Sequence, residues 1–156
     1  MTVDTAPDPD SHYDLTAGKL IISAPDLCKL LIVLCDGGIY EDVQLLPSNA
    51  AKEMRTCQDG RWSVSGNSGR GLFVNIQRGD QVPGRTLYGH GGKAHGMLCA
   101  AYFDPTDRTG VVMLTNGCDN RTGDTGVGEL GSKVLTAVYE CWLNQEHEKV
   151  DAFYVE

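Results

Sequence analysis

The stretch from Leu87 to Met97, LYGHGGKAHGM, sets two histidines, His90 and His95, among Gly89, Gly91, Gly92 and Gly96. Imidazole exchanges a proton near neutral pH, so either histidine can serve as a general acid or base. Glycine weakens a strand interior unless something must come close to the backbone. Here the glycines clear side chains from one strand edge, where a ligand can lie along the chain and meet its N–H groups. Backbone N–H groups aimed at a developing negative charge form an oxyanion hole. The plain structural alternative is a packed, hydrogen-bonded strand histidine with no chemistry.

Other patterns are weaker. GVGELG, residues 126–131, has the glycine spacing of a dinucleotide loop, but that fingerprint needs a strand running directly into the turn. Gly126 lies ten residues past Asn116, so the segment reads as a flexible approach to a helix. Ser65-Gly66-Asn67 imitates a Ser-x-Asn catalytic element inside a stretch where those residues are common anyway. Asn120-Arg121-Thr122 is a glycosylation sequon that matters only in a secreted eukaryotic protein. His12 and His147 fall in polar terminal segments and read as solvated. The six cysteines, at 28, 35, 57, 99, 118 and 141, include no C-x-x-C pair. They are expected to be free, mostly buried thiols in a reducing compartment, which suggests the cytoplasm. Zinc needs closer ligand pairs, so no metal site is expected.

The composition is that of an ordinary globular chain. With 156 residues it is within the size of one domain, and 41% hydrophobic with 22% charged residues is unexceptional. Thirteen basic against 21 acidic side chains leave a formal charge of −8. Nucleic acid or an anionic membrane would want a basic face, so neither is an expected partner. No apolar run approaches the ~18 residues of a membrane span. The N-terminal MTVDTAPDPDSHYD is acidic and unlike a signal peptide.

Several elements must position the glycine-rich stretch. SAPDLCKLLIVLCDGG predicts a helix with Ser23 and Asp26 as a capping box, Leu27, Leu30, Leu31 and Leu34 on its inner face, and Gly37-Gly38 as its stop. LPSNAAKEMRT predicts a shorter helix capped by Ser48. Residues 57–70 read as loop and 71–79 as a strand. RTLYGHGG then reads as a strand ending in glycine, followed by GMLCAAYFD and GVVMLTN as a hairpin joined by PTDRTG. Neither apolar run alternates, so both faces of their sheet should be covered. VGELGSKVLTAVYECWLNQ predicts a covering helix with Leu130, Val134, Leu135, Val138, Cys141 and Trp142 inward. The expected fold class is α+β: an antiparallel meander of three to four strands covered by helices.

In this order, DLTAGKLIISAPDLCKLLIVLCDGG, LLPSNAAKEM, GRGLFV and LYGHGGKAHGMLCAAYFDPTDRTGVVMLTNG resemble the C-terminal portion of the serine β-lactamase/penicillin-binding-protein-like family. That family includes class C β-lactamases, D-alanyl-D-alanine carboxypeptidases and related esterases. The resemblance covers about residues 13 to 143; the residues themselves read as an irregular lead-in over 1–12 and a tail over 148–156, which sets the β-lactamase-like portion at 13–147. Family members combine Ser-x-x-Lys, Tyr-x-Asn or Ser-x-Asn, and Lys-Thr-Gly or His-x-Gly on a strand beside the pocket. His90-Gly91-Gly92 matches the third element. It implies that His90 lines the pocket, that Gly91 and Gly92 let substrate pair with the strand edge, and that the Lys93 backbone N–H is an oxyanion donor. His95 and Gly96 are counted as substrate-binding by proximity, without an assigned family role.

The sequence departs from the family pattern in having neither Ser-x-x-Lys nor Tyr-x-Asn, and in carrying Lys93-Ala94-His95 where small residues are usual. Acyl-enzyme chemistry needs a nucleophile activated by a base, so the expected partners are an N-terminal segment or second chain supplying Ser-x-x-Lys, and a small acyl substrate. The edge of GVVMLTN is otherwise expected to stand exposed and to allow a homodimer. No cofactor is implied. The expected activity is hydrolysis of a β-lactam, D-Ala peptide or small ester through an acyl-enzyme. The alternative is a non-catalytic binding or interaction domain derived from the same fold.

Overall fold

A computed structural model of the chain describes residues 20–58, 60, 66–79, 81–94, 96–116 and 128–143. Ser23, Pro25 and Asp26 start the first helix, α1 (Ala24–Cys35). The Ser23 hydroxyl accepts the Asp26 N–H at 3.2 Å and donates to its carboxylate at 2.7 Å. Only this half of a capping box forms, because the Asp26 carboxylate is engaged by the hydroxyl and by Lys29 Nζ at 2.7 Å. Gly37 and Gly38 end the helix with φ of +67° and +94°. A Cβ on Gly38 would stand 2.0 Å from the Leu46 carbonyl oxygen, so only glycine fits there.

The inner face of α1 is rotated from the expected one. Leu31, Val33 and Leu34 are buried, whereas Leu30 is 49% exposed. Residues 27–35 are apolar nearly all round, so periodicity alone does not choose a face. Helix α2 (Ser48–Met54) follows, with Pro47 in the flanking position and no side-chain cap; Ser48 is already helical rather than the expected cap. Between the two helices a small ribbon, β1 (Ile39–Tyr40) and β2 (Val43–Gln44), turns over Glu41 and Asp42, both at positive φ. Such turns usually announce themselves with Asn-Gly or Asp-Gly, and this one does not.

The main sheet is a five-stranded antiparallel meander in chain order: β3 (Ser68–Arg70), β4 (Asn75–Arg78), β5 (Thr86–Ala94), β6 (Met97–Asp104) and β7 (Thr109–Asn116). The α+β class is as expected, with one strand more than the three to four anticipated. The addition is β3, three residues at the end of the stretch read as loop. The strand expected over 71–79 is confined to Asn75–Arg78. β5 does not end at its glycines but runs through them, because Gly91 and Gly92 pair with Ala100 and Cys99 on β6.

Both faces of the sheet are covered. On one, Leu87, Ala100, Tyr102 and Val111 pack with Val82 and with Leu135 and Tyr139 of the last helical segment. That segment is α3 (Glu129–Val138), continued by a π-helical turn over Tyr139–Leu143. Val134 and Val138 are half-buried, but Leu130 is 39% exposed and Cys141 is exposed, while Tyr139 is fully buried. The wider π turn moves the phase of the buried stripe. On the other face, Leu31 and Leu34 of α1 pack on Val74 and Phe103, joined by Tyr88, Ala101 and Val112. Of the cysteines, 28, 35, 57 and 99 are free and half-buried rather than buried, and Cys141 is free and exposed; Cys118 lies outside the described residues. Among the described residues no helix is long and apolar enough to cross a membrane.

One end of the sheet is tied by charge. Arg85 reaches Asp104 at 3.1 Å and also Asp107, and lies 4.9 Å from the centre of the Tyr139 ring. Thr109 Oγ1 donates to Asp107 at 2.6 Å. Burial alone would raise the Asp107 carboxyl, but the Thr109 hydroxyl and the Arg85 guanidinium outweigh it and hold it below its ordinary value of 3.8. A carboxyl depressed in the folded state stabilises the fold above its unfolded value, and that contribution disappears as pH falls through the folded value. Asp107→Asn is therefore expected to lower the melting temperature near neutral pH, with the gap to wild type closing as the pH falls below 3.8, as read from thermal melts across pH.

At Gly89 the backbones of β5 and β6 approach so closely that a Cβ would stand 2.0 Å from the Ala101 carbonyl oxygen and 2.6 Å from the Tyr102 Cα. At Gly92 the same atom would meet only the Cys99 Cβ, at 3.8 Å. Gly89→Ala is expected to cost about 3 kcal/mol through overpacking, and Gly92→Ala to stay within about 0.5 kcal/mol of wild type. Urea unfolding of the two variants checks both.

Candidate functional site

β5 is a central strand for only part of its length. β4 pairs with it from Thr86 to Gly89 and then stops, whereas β6 pairs from Tyr88 to Ala94. From His90 onward, no described strand lies on the β4 side of β5. This stretch of β5 carries His90, Gly91, Gly92 and Lys93 in succession.

His90 is exposed and stands opposite Ala101. Its Nδ1 contacts the Gly91 carbonyl oxygen. A carbonyl can only accept, so Nδ1 is the donor in this contact. Gly91 is half-buried, and Gly92 and Lys93 are exposed. Tyr102, opposite Gly89, is pushed up to about 12 by burial and so stays protonated near neutral pH. It cannot serve the site as a base.

Ala94 pairs with Met97, so the chain reverses between them. Gly96 takes φ +78°, which gives it a backbone reason to be glycine. His95 lies outside the described residues, as do Ser65, His12, His147 and the 120–122 sequon. Asn67 is described and exposed; its carbonyl accepts the Arg78 N–H at 2.6 Å. In GVGELG, Gly126 lies outside the described residues and Gly128 sits just ahead of α3. β7 has already ended at Asn116, so it does not run directly into the helix as a dinucleotide turn requires. Among the described residues no group of three or more His, Cys, Asp or Glu side chains is placed to hold a metal.

Cys99, expected from the sequence to be a free and mostly buried thiol, is free and half-buried. It stands opposite Gly92 on β6, so the thiol belongs to the same stretch of sheet as His90. The signal for this placement was available in the hairpin: a reversal between Ala94 and Met97 pairs residue 92 with residue 99.

The family model described as Beta-lactamase matches residues 2–128, which takes in the whole meander. The chain belongs to the Beta-lactamase family. Comparison with curated proteins and with solved structures gave no match. The α+β architecture, with helices packed on an antiparallel sheet, is consistent with the β-lactamase-like fold.

Proposed function

We propose that this chain contributes the His-x-Gly strand of a β-lactamase-like serine hydrolase acting through an acyl-enzyme on a β-lactam, a D-Ala peptide or a small ester. The observation that supports this reading is that β4 stops at Gly89 while β5 continues beside β6, so that no described strand flanks its other side at His90, Gly91 and Gly92, where two side chains are reduced to hydrogen. An extended acyl ligand can add to such an edge by main-chain hydrogen bonds. The Lys93 N–H is assigned to the oxyanion, and His90 to placing the substrate or tuning the base. The nucleophile, absent here as Ser-x-x-Lys, is assigned to an N-terminal segment or a second chain. Pairing of two copies through β7, whose outer edge has no partner among the described residues, is the alternative association.

The lack of Ser-x-x-Lys favours one other reading, a binding domain that keeps the groove and performs no acyl transfer. Intact-mass spectrometry with a fluorophosphonate and, separately, a penicillin tests the first point: no serine adduct is expected on this chain alone. Amide NMR tests the second, with shifts expected at Gly91, Gly92 and Lys93 on adding a penicillin and their loss in Gly92→Val. An adduct on a serine of this chain, Ser65 included, overturns the assignment of the nucleophile elsewhere. Shifts that avoid β5 overturn the groove. Binding that persists without acylation after a Ser-x-x-Lys-bearing family segment is added selects the binding domain.

A further inference from the structure

Helix α1 does not close fully on the sheet where β6 turns into β7. A cleft of about 190 Å³ remains there, walled by Leu31, Ile32 and Phe103 with Cys28 and Cys35, and bordered by Arg108. Gly110 pairs with Phe103 across the hairpin. A Cβ on Gly110 would stand 3.4 Å from the Phe103 Cβ and 3.7 Å from the Leu31 Cδ1, so a larger residue would grow toward the cleft walls. Gly110 is exposed, so solvent reaches the space it leaves. A cavity of ~150 Å³ lined by apolar side chains holds a benzene ring, so one ring or a short chain fits here. The glycine-rich end of β5 lies elsewhere, against the start of β6 at Met97 to Ala100.

The cleft is apolar along its walls and charged at one border. The Arg108 side chain is 71% exposed. Its Nε donates to Asp36 Oδ1 at 2.8 Å and its Nη2 to Oδ2 at 2.5 Å. That fork uses one edge of the guanidinium. Five N–H donors sit on the group in a fixed plane, so the edge formed by the two Nη atoms can bind a second carboxylate in the same bidentate way. The charge also reaches the cleft wall. Burial pushes the Cys35 thiol up and Asp36 adds to it, whereas the Arg55 and Arg108 guanidiniums act in the opposite direction. Cys28 is raised by burial alone. The Cys35 end is therefore the cationic end and the Cys28 end the apolar one.

We propose that this cleft binds a small apolar monocarboxylate, its ring or short chain between Ile32 and Phe103 and its carboxylate on the outer edge of the Arg108 guanidinium. Arginine suits the role better than lysine because its planar fork matches a carboxylate. Leu31 and Phe103 are buried core residues that fix the floor, while Asp36 holds the guanidinium in place. The site is independent of the glycine-rich strand and of a nucleophile supplied from elsewhere.

Amide NMR of the whole chain titrated with benzoate tests this. Shifts are expected at Ile32, Cys35, Arg108 and Gly110, with half-saturation near about 1 mM, while Gly91, Gly92 and Lys93 stay unmoved. Benzyl alcohol keeps the ring and lacks the charge, and is expected to bind at least about tenfold more weakly. Arg108 has φ +61°, a conformation asparagine adopts more readily than most residues. Arg108→Asn is thus expected to keep the fold, as thermal melts show, and to weaken benzoate to the level of benzyl alcohol. Absence of shifts at those four amides with benzoate at about 20 mM overturns the proposal. Benzyl alcohol binding the wild-type chain as well as benzoate does overturns it without any variant, as does benzoate binding unchanged by Arg108→Asn.

Discussion

Backbone pairing between β5 and β6 holds the rest of the structure in place. It runs without interruption from Tyr88↔Phe103 to Ala94↔Met97, and β6 in turn carries residues of both cores. Ala100 and Tyr102 belong to the α3 side, and Ala101 and Phe103 to the α1 side. Because side chains alternate along a strand, a slip of one residue in this pairing would exchange those faces and empty both cores. The same register sets what stands beside what at the glycine-rich end. His90 and Gly92 owe their neighbours to it, since neither is fixed by side-chain packing of its own.

The two ends of β5 are held by different forces. At its start, Arg85, Asp104 and Asp107 form a charged clasp against Tyr139, with Asp104 buried and hydrogen-bonded to the Thr106 N–H at 2.9 Å. Breaking one partner of such a buried pair leaves an uncompensated charge, so this end resists change. At the other end the strand keeps one neighbour among the described residues, with short or exposed side chains. Rigidity is gathered at the clasp and glycine at the far end of the strand.

Much of this was legible in the residues. Strands β6 and β7 follow from apolar runs separated by Pro105-Thr106-Asp107-Arg108, and α1 from its Ser23 cap and glycine stop. Less legible were features set by backbone or tertiary context. The Glu41-Asp42 turn uses positive φ at residues that do not announce it. β3 exists because β4 lies alongside it, and its Ser-Gly-Arg sequence has no strand character. In α1 the apolar residues encircle the helix, so the sheet chose Leu31 and Leu34 and left Leu30 outside. In α3 the π turn brought Tyr139 inward, which a constant 3.6-residue period does not foresee. At the candidate site, His90 and the glycines stood out by composition, whereas Cys99 needed the hairpin register before it could be placed.

Gly89 and Gly92 look alike in sequence and differ in what surrounds them, one pressed against β6 and one facing open space. That difference divides the evolutionary freedom of the strand. Drift at position 89 is closed off by the fold itself, whatever the ligand. Drift at position 92 costs the fold little and changes only the open sheet face beside Cys99, so a lineage carrying this strand can vary that surface one substitution at a time without first acquiring compensating changes in its core.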